Sequence, residues 1–206
     1  MYALGHVGIA LAVFGPFGFA LLVRRRPRAA LAGTVGVASL STLPDVDQHV
    51  GFLVHRGLTH TVWFAALVGL AVGAGVLLSG FDAARGASPI HRGVEGFAVG
   101  ALAVGSHLLG DVITPMGIRP FAPLWHASFT LDLVLAKNPT ANRALFAAGC
   151  VATFTVWQLG ADRSHVGTPF GWLRETVGTL RRSGTLRRGG TRTVDASAPE
   201  YDEKRL

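Results

Sequence analysis

Long apolar runs broken by short polar clusters organise this chain. They occupy about residues 3–23, 29–43, 61–81, 97–113 and 144–161. The first and third are each about 20 residues, long enough to cross the roughly 30 Å hydrocarbon core as α-helices. The other three are about 15–18 residues and span only with snorkelling of flanking Arg or local thinning of the bilayer. The pattern predicts an all-α, polytopic integral membrane protein with about five transmembrane helices. The first run has no basic segment before it and an Arg cluster after it, so it does not read as a cleavable signal peptide.

Composition supports that class. Half of the 206 residues are hydrophobic and 15% are charged, with a mean hydropathy of +0.41. Such values lie outside ordinary soluble domains. Glycine, at 27 residues, is frequent in membrane helices because it lets them approach closely. The lone Cys150 excludes an intrachain disulfide and a Cys-based zinc site, and reads as a small packing residue. The formal net charge of +7 does not indicate nucleic acid as a partner. The basic residues concentrate in Arg24-Arg25-Arg26-Pro27-Arg28 and in the C-terminal tail, as topology determinants do.

Orientation follows from that bias. Arg24, Arg25, Arg26 and Arg28 place the first loop in the cytoplasm, as do Arg85 and Arg92 for the 82–96 connection. The tail, with Arg181, Arg182, Arg187 and Arg188 among its basic residues, falls on the same side. The opposite segments carry only Arg56, Arg119, Lys137 and Arg143, so the arrangement expected is N-out and C-in. Three regions follow: a membrane domain over 1–161, an amphipathic interfacial segment over 162–182 and a disordered cytoplasmic tail over 183–206.

On this topology the ionisable residues segregate. His6, His49, His55, His60, His107 and His126 fall on the outer side, against His91 and His165 elsewhere. Intramembrane ionisable groups are rare and usually mark a function. His107 and Asp111, four apart, share a helical face and are natural ligands for zinc or a similar divalent ion. The bland alternative is a neutral, hydrogen-bonded His beside a capping Asp. Asp45 and Asp47, after Pro44, point to one side if the segment is extended, suiting a paired ligand role; an Asx turn is the alternative. Of His55 and His60, one coordinates a metal and the other orients a ligand. Arg56 could bind an anionic substrate or snorkel to the interface, and Thr59 or Thr61 caps the third helix. His49 and His126 read as exposed interface residues.

Gly5-His6, Pro44-Asp45-Val46-Asp47, His55-Arg56-Gly57-Leu58-Thr59-His60-Thr61 and the run from Gly105 to Gly117 resemble the bacterial and archaeal YdjM-like family, over roughly residues 1–125. That resemblance implies an inner-membrane metal-dependent hydrolase. The residue order is also similar, more weakly, to zinc-dependent phospholipase C and the related single-strand nucleases. It implies His6, Asp45, His60, His107 and Asp111 as metal ligands, with His126 a candidate next member. On this chain's own pattern Asp47 and His55 come next as ligands, or one of them serves as general base or orients the metal-bound water. The final His/acid pair of that pattern is missing after His126, which favours one or two metals over three.

Neutral imidazoles and ionised carboxylates suit zinc, or manganese, and such an ion acidifies the water it binds. The expected protein is therefore a multi-pass hydrolase of the cell membrane, meeting lipid or phosphoester substrates at the extracytoplasmic surface. Its rivals use the same ligands without hydrolysis, in metal transport or as a metal-stapled scaffold. No P-loop, GxGxxG fingerprint or GxSxG elbow occurs.

Overall fold

A computed structural model describes residues 1–81 and 88–164. All belong to the first of two units, Met1–Thr168 and Pro169–Leu206. The described residues form five α-helices, with no strand beyond an isolated bridge between Ile118 and Phe129. They are α1 (Ala3–Val23), α2 (Pro27–Leu40), α3 (Val62–Ser79), α4 (Pro89–Val112) and α5 (Pro139–Ser164). Two 3-10 segments, Leu43–His49 and Leu58–His60, lie between α2 and α3. Beyond the end of α5, the interfacial segment and tail expected at 162–206 lie outside the described residues.

Four elements are long and apolar enough to cross a membrane: Ala3–Val23, Pro27–His49, Val62–Ser79 and Pro89–Val112. The chain is a multi-pass membrane protein. The second of these spans combines α2 with the following 3-10 segment, which explains why its apolar run looked short. α5, with 26 residues, is about 39 Å long at 1.5 Å per residue, and lies along α1.

Helix starts are chemically marked. Ser88 precedes Pro89 and its Oγ accepts from His91 N at 3.3 Å, so α4 begins eight residues before the apolar run at 97. A serine cap followed by proline at the first helical position suits a helix N-terminus. The polar first turns of α4 are also paired: Glu95 meets Arg26, and Arg92 Nη1 donates to Phe81 O at 3.2 Å. Asn138 caps α5 in the same way, its Oδ1 accepting from Ala141 N at 3.1 Å. Thr61 caps α3 by accepting from Phe64 N at 3.2 Å, and Gly80 ends it with φ +64.

Packing runs through two tight helix pairs. In α3 and α4 the glycines at Gly69, Gly73, Gly96 and Gly100 sit where the backbones meet. A Cβ added at Gly73 would lie 2.8 Å from Gly93 O, and one at Gly100 would lie 2.7 Å from Val68 O. α1 meets α5 through Gly8 and Gly149 in the same manner. In lipid, where helices gain little from hydrophobic burial, such close backbone approach is a main source of association. Cys150, expected to pack, is instead exposed on α5. Two apolar clusters result, one around Phe14, Leu21 and Val37, the other around Val68, Val104 and Leu108. The N-terminus of α1, the ends of α2 and α4 and the start of α3 share one end of the bundle.

Candidate metal centre

Local backbone decides where the two aspartates point. Pro44 starts a 3-10 segment over Leu43–His49, so the extended geometry expected for Asp45 and Asp47 does not occur. At three residues per turn, a two-residue offset rotates by about 240°, and the carboxylates separate instead of pairing. They reach His60 from its two sides: Asp45 Oδ1 is 3.7 Å from Nε2 and Asp47 Oδ2 is 3.2 Å from Nδ1. Arg56 holds a left-handed φ of +60, uncommon for a residue with a Cβ. Asp47 fixes that turn by accepting from Arg56 N at 3.1 Å and from Thr59 Oγ1 at 2.9 Å.

Four atoms from three segments then converge. His60 Nε2 and His107 Nε2 are 3.1 Å apart. Asp111 Oδ2 is 3.4 Å from each of them, and Asp45 Oδ1 is 3.7 Å from each. Ligands about 2.0–2.1 Å from a tetrahedral zinc would be about 3.3–3.4 Å apart. The observed separations bracket that value. His6 stacks on His107 with ring centroids 3.7 Å apart, and its Nε2 is 3.6 Å from Asp111 Oδ1. The structure thus brings together His6, Asp45, His60, His107 and Asp111, with Asp47 and His55 behind His60.

Hydrogen bonding fixes what those atoms can do. His107 Nδ1 lies 2.7 Å from Ser41 O, and a carbonyl only accepts, so that nitrogen carries the proton. His60 Nδ1 faces Asp47 Oδ2 and Thr59 Oγ1, with the same consequence. Both Nε2 atoms of the neutral rings therefore present lone pairs to each other and to two carboxylates. Such a set has no internal donor and calls for a cation. Consistently, both His6 ring nitrogens and Asp111 Oδ2 are buried without a hydrogen-bond partner. Buried polar groups are rarely left so. His6, His60 and His107 are fully buried, while Asp45 keeps partial access. The donor set fits a divalent ion.

His60 lies outside the spanning helices. Burial alone would lower its pKa, but the carboxylates of Asp111, Asp45 and Asp47 around the ring outweigh that effect and raise it. A proton is the ion's natural competitor here.

The remaining candidates divide clearly. Arg56 is turned inward: Nη2 donates to Asp111 Oδ1 at 2.9 Å, and Nη1 to Gly117 O at 2.7 Å and Thr114 Oγ1 at 3.2 Å. Asp111 Oδ1 also meets the Met1 amine at 3.0 Å. His55 Nδ1 contacts Asp47 Oδ1 at 2.9 Å, and its side chain is 39% exposed. His49 and His126 are exposed and remain apart from the centre. His126, with His55, Arg56 and Arg119, lines an adjoining surface cavity of about 560 Å³. Two supporting groups were not read from the sequence. Ser41 acts through its carbonyl, which every residue owns. Asn142 on α5 is fully buried, accepts from Tyr2 N at 3.0 Å and donates to Ala136 O and Asn138 O, so it anchors the entry to α1. A buried Asn in an apolar helix was the available signal.

No curated protein and no solved structure matches the chain. The family model of the YdjM inner membrane protein matches residues 1–170, which include all five helices and every group at this centre. The chain belongs to the YdjM inner membrane protein family.

Proposed function

We propose that this protein is a membrane-bound, metal-dependent hydrolase. Its ion is held by His60, His107, Asp45 and Asp111, with His6 completing the set. The observation that carries the reading is the pair of neutral Nε2 atoms facing each other at 3.1 Å beside two carboxylates. A divalent ion held there would act as a Lewis acid toward an ester oxygen and would acidify water. Zinc suits this nitrogen and oxygen set, and manganese is the alternative.

The chain's own groups divide the remaining work. Asp47 and Ser41 O hold the two imidazoles as Nδ1 tautomers, which aims their lone pairs inward. Arg56 offsets the charge of Asp111 and fixes its carboxylate plane. Asp45, the ligand with most solvent access, marks the open side. His55, on the exposed side of Asp47, is the group able to exchange a proton with solvent. The Arg asymmetry supports an N-out, C-in arrangement with α5 as a fifth span. The centre then faces the extracytoplasmic head-group region, where lipid or other phosphoesters are the natural substrates. Transport without hydrolysis is less well supported. Beneath the centre lie Ala10, Phe14, Ala103 and Val104, which offer no continuing polar path.

The test is hydrolysis of a phospholipid and phosphodiester panel in bilayers, with and without a chelator. Turnover should require metal and be abolished by His60→Ala and Asp45→Ala. His91→Ala, at the other end of α4, should leave it unchanged. Equal turnover in the wild type and the Asp45/His60 double variant would overturn the mechanism.

A further inference from the structure

A second cavity runs between α2, α3 and α4 from the Arg26 and Arg92 end of the bundle as far as Leu40, and none of the proposed ligands lines it. It measures about 410 Å³, within the range of about 300–1,000 Å³ typical of small-molecule sites. Phe17, Gly33, Leu40, Val76 and Val99 contribute to its apolar walls. α2 and α4 pack together, as do α3 and α4, while α2 and α3 face each other across the gap without an extended interface. The gap lies between three of the elements that qualify as membrane spans. At that depth the surrounding solvent is hydrocarbon, so an acyl chain is what fills an apolar slot.

The mouth supplies the second observation. Arg92 lines the cavity and is 8% exposed. Its Nη1 donates to Phe81 O, but its Nε is buried without a partner, and no carboxylate among the described residues pairs with it. Glu95 is already paired with Arg26. A buried guanidinium without an anion is costly and forms strong, often bidentate bonds to phosphate. Arg24 and Arg25 in the adjoining turn, and Arg28 in the first turn of α2, add positive potential at that end.

We propose that this groove holds one acyl chain of an anionic phospholipid, with its phosphate against Arg92. The site is independent of the metal centre and of any hydrolysis there.

Gly75 provides a direct test, because it lines the groove and a Cβ added there meets nothing within 4 Å. The full chain in detergent would be stripped of lipid and offered equal phosphatidylglycerol and phosphatidylethanolamine. Bound lipid is then counted by native mass spectrometry. The wild type should retain one phosphatidylglycerol, preferred about fivefold or more, as expected for roughly 1 kcal/mol per basic contact. Gly75→Phe should lose the bound lipid, and Arg92→Gln should keep a lipid but lose the preference. Metal content and melting temperature, measured on the same samples, report on folding separately. A phosphatidylglycerol with a photoactivatable acyl chain, bound to the unsubstituted protein, should crosslink within residues 72–76 or 95–99. No retained lipid in the wild type, equal retention of the two lipids, or crosslinks confined to other helices would overturn the proposal. So would undiminished lipid in a folded Gly75→Phe variant.

Discussion

Asp47→Asn separates a ligand from the group that aims it. Asp47 is 2% exposed and touches no proposed ion position; its oxygens accept from Arg56 N, Thr59 Oγ1 and His60 Nδ1, and contact His55. An asparagine of the same shape can keep its oxygen on the three groups at Oδ2. Its amide can then donate to His55 Nδ1, if that ring adopts the other tautomer. The backbone turn at Arg56 survives, and what disappears is the negative charge behind His60. Losing such an outer partner typically costs 10–100-fold in metal affinity, or about 1.4–2.7 kcal/mol. Competition against a chelator of known affinity, in micelles at fixed pH, reads that shift. His60→Ala, which deletes a ligand outright, should cost considerably more. A folded Asp47→Asn variant within twofold of wild-type affinity would refute the reasoning. A loss as complete as that of His60→Ala would make Asp47 itself a ligand.

Three further outcomes follow from the same geometry. Because the folded pKa of His60 is raised above about 6.5, metal-free protein gains stability from it fully below the unfolded value. That gain fades as pH rises through the folded value, while metal affinity climbs over the same interval, as thermal melts and chelator titrations at several pH values would show. Gly100→Leu should lower the melting temperature by an amount corresponding to about 1–3 kcal/mol of overpacking or more, since its Cβ would already lie 2.7 Å from Val68 O. Gly105→Ala, with open space around it, should not. Gly51→Cys in a Cys150→Ala background should react with an impermeant maleimide added from outside intact cells. Labelling only from the cytoplasmic side would reverse the proposed orientation.

Much of this molecule was readable because membrane helices and metal ligands both leave coarse marks. Apolar runs gave the helices, and the spacing of His107 and Asp111 gave one face of the centre. Three features escaped for physical reasons. Hydropathy hid the start of α4, since Arg92 and Glu95 look like loop residues until each is paired or folded back. The roles of Asp45 and Asp47 depended on whether the backbone is extended or 3-10. A Pro-Asp-Val-Asp tetrapeptide accommodates both, and only the partners at His60 and Arg56 decide between them. Arg56 looked ready for a substrate anion because sequence shows a charge without showing which way it turns.

The pairing of α1 with α5 through Gly8 and Gly149 carries a consequence for how the protein is made. Synthesis proceeds from the N-terminus, so α1 must wait for α5 before its glycine face is covered. α3 and α4, by contrast, are near neighbours in sequence and can zip together as soon as both are inserted. His6 lies two residues before Gly8 and Asn142 three before Leu145, so the late docking of α5 also sets the position of α1 at the centre. A nascent chain arrested before residue 139 would therefore hold its partner helices in place and still lack a settled first imidazole. Completion of the proposed ligand set therefore waits on the insertion of α5.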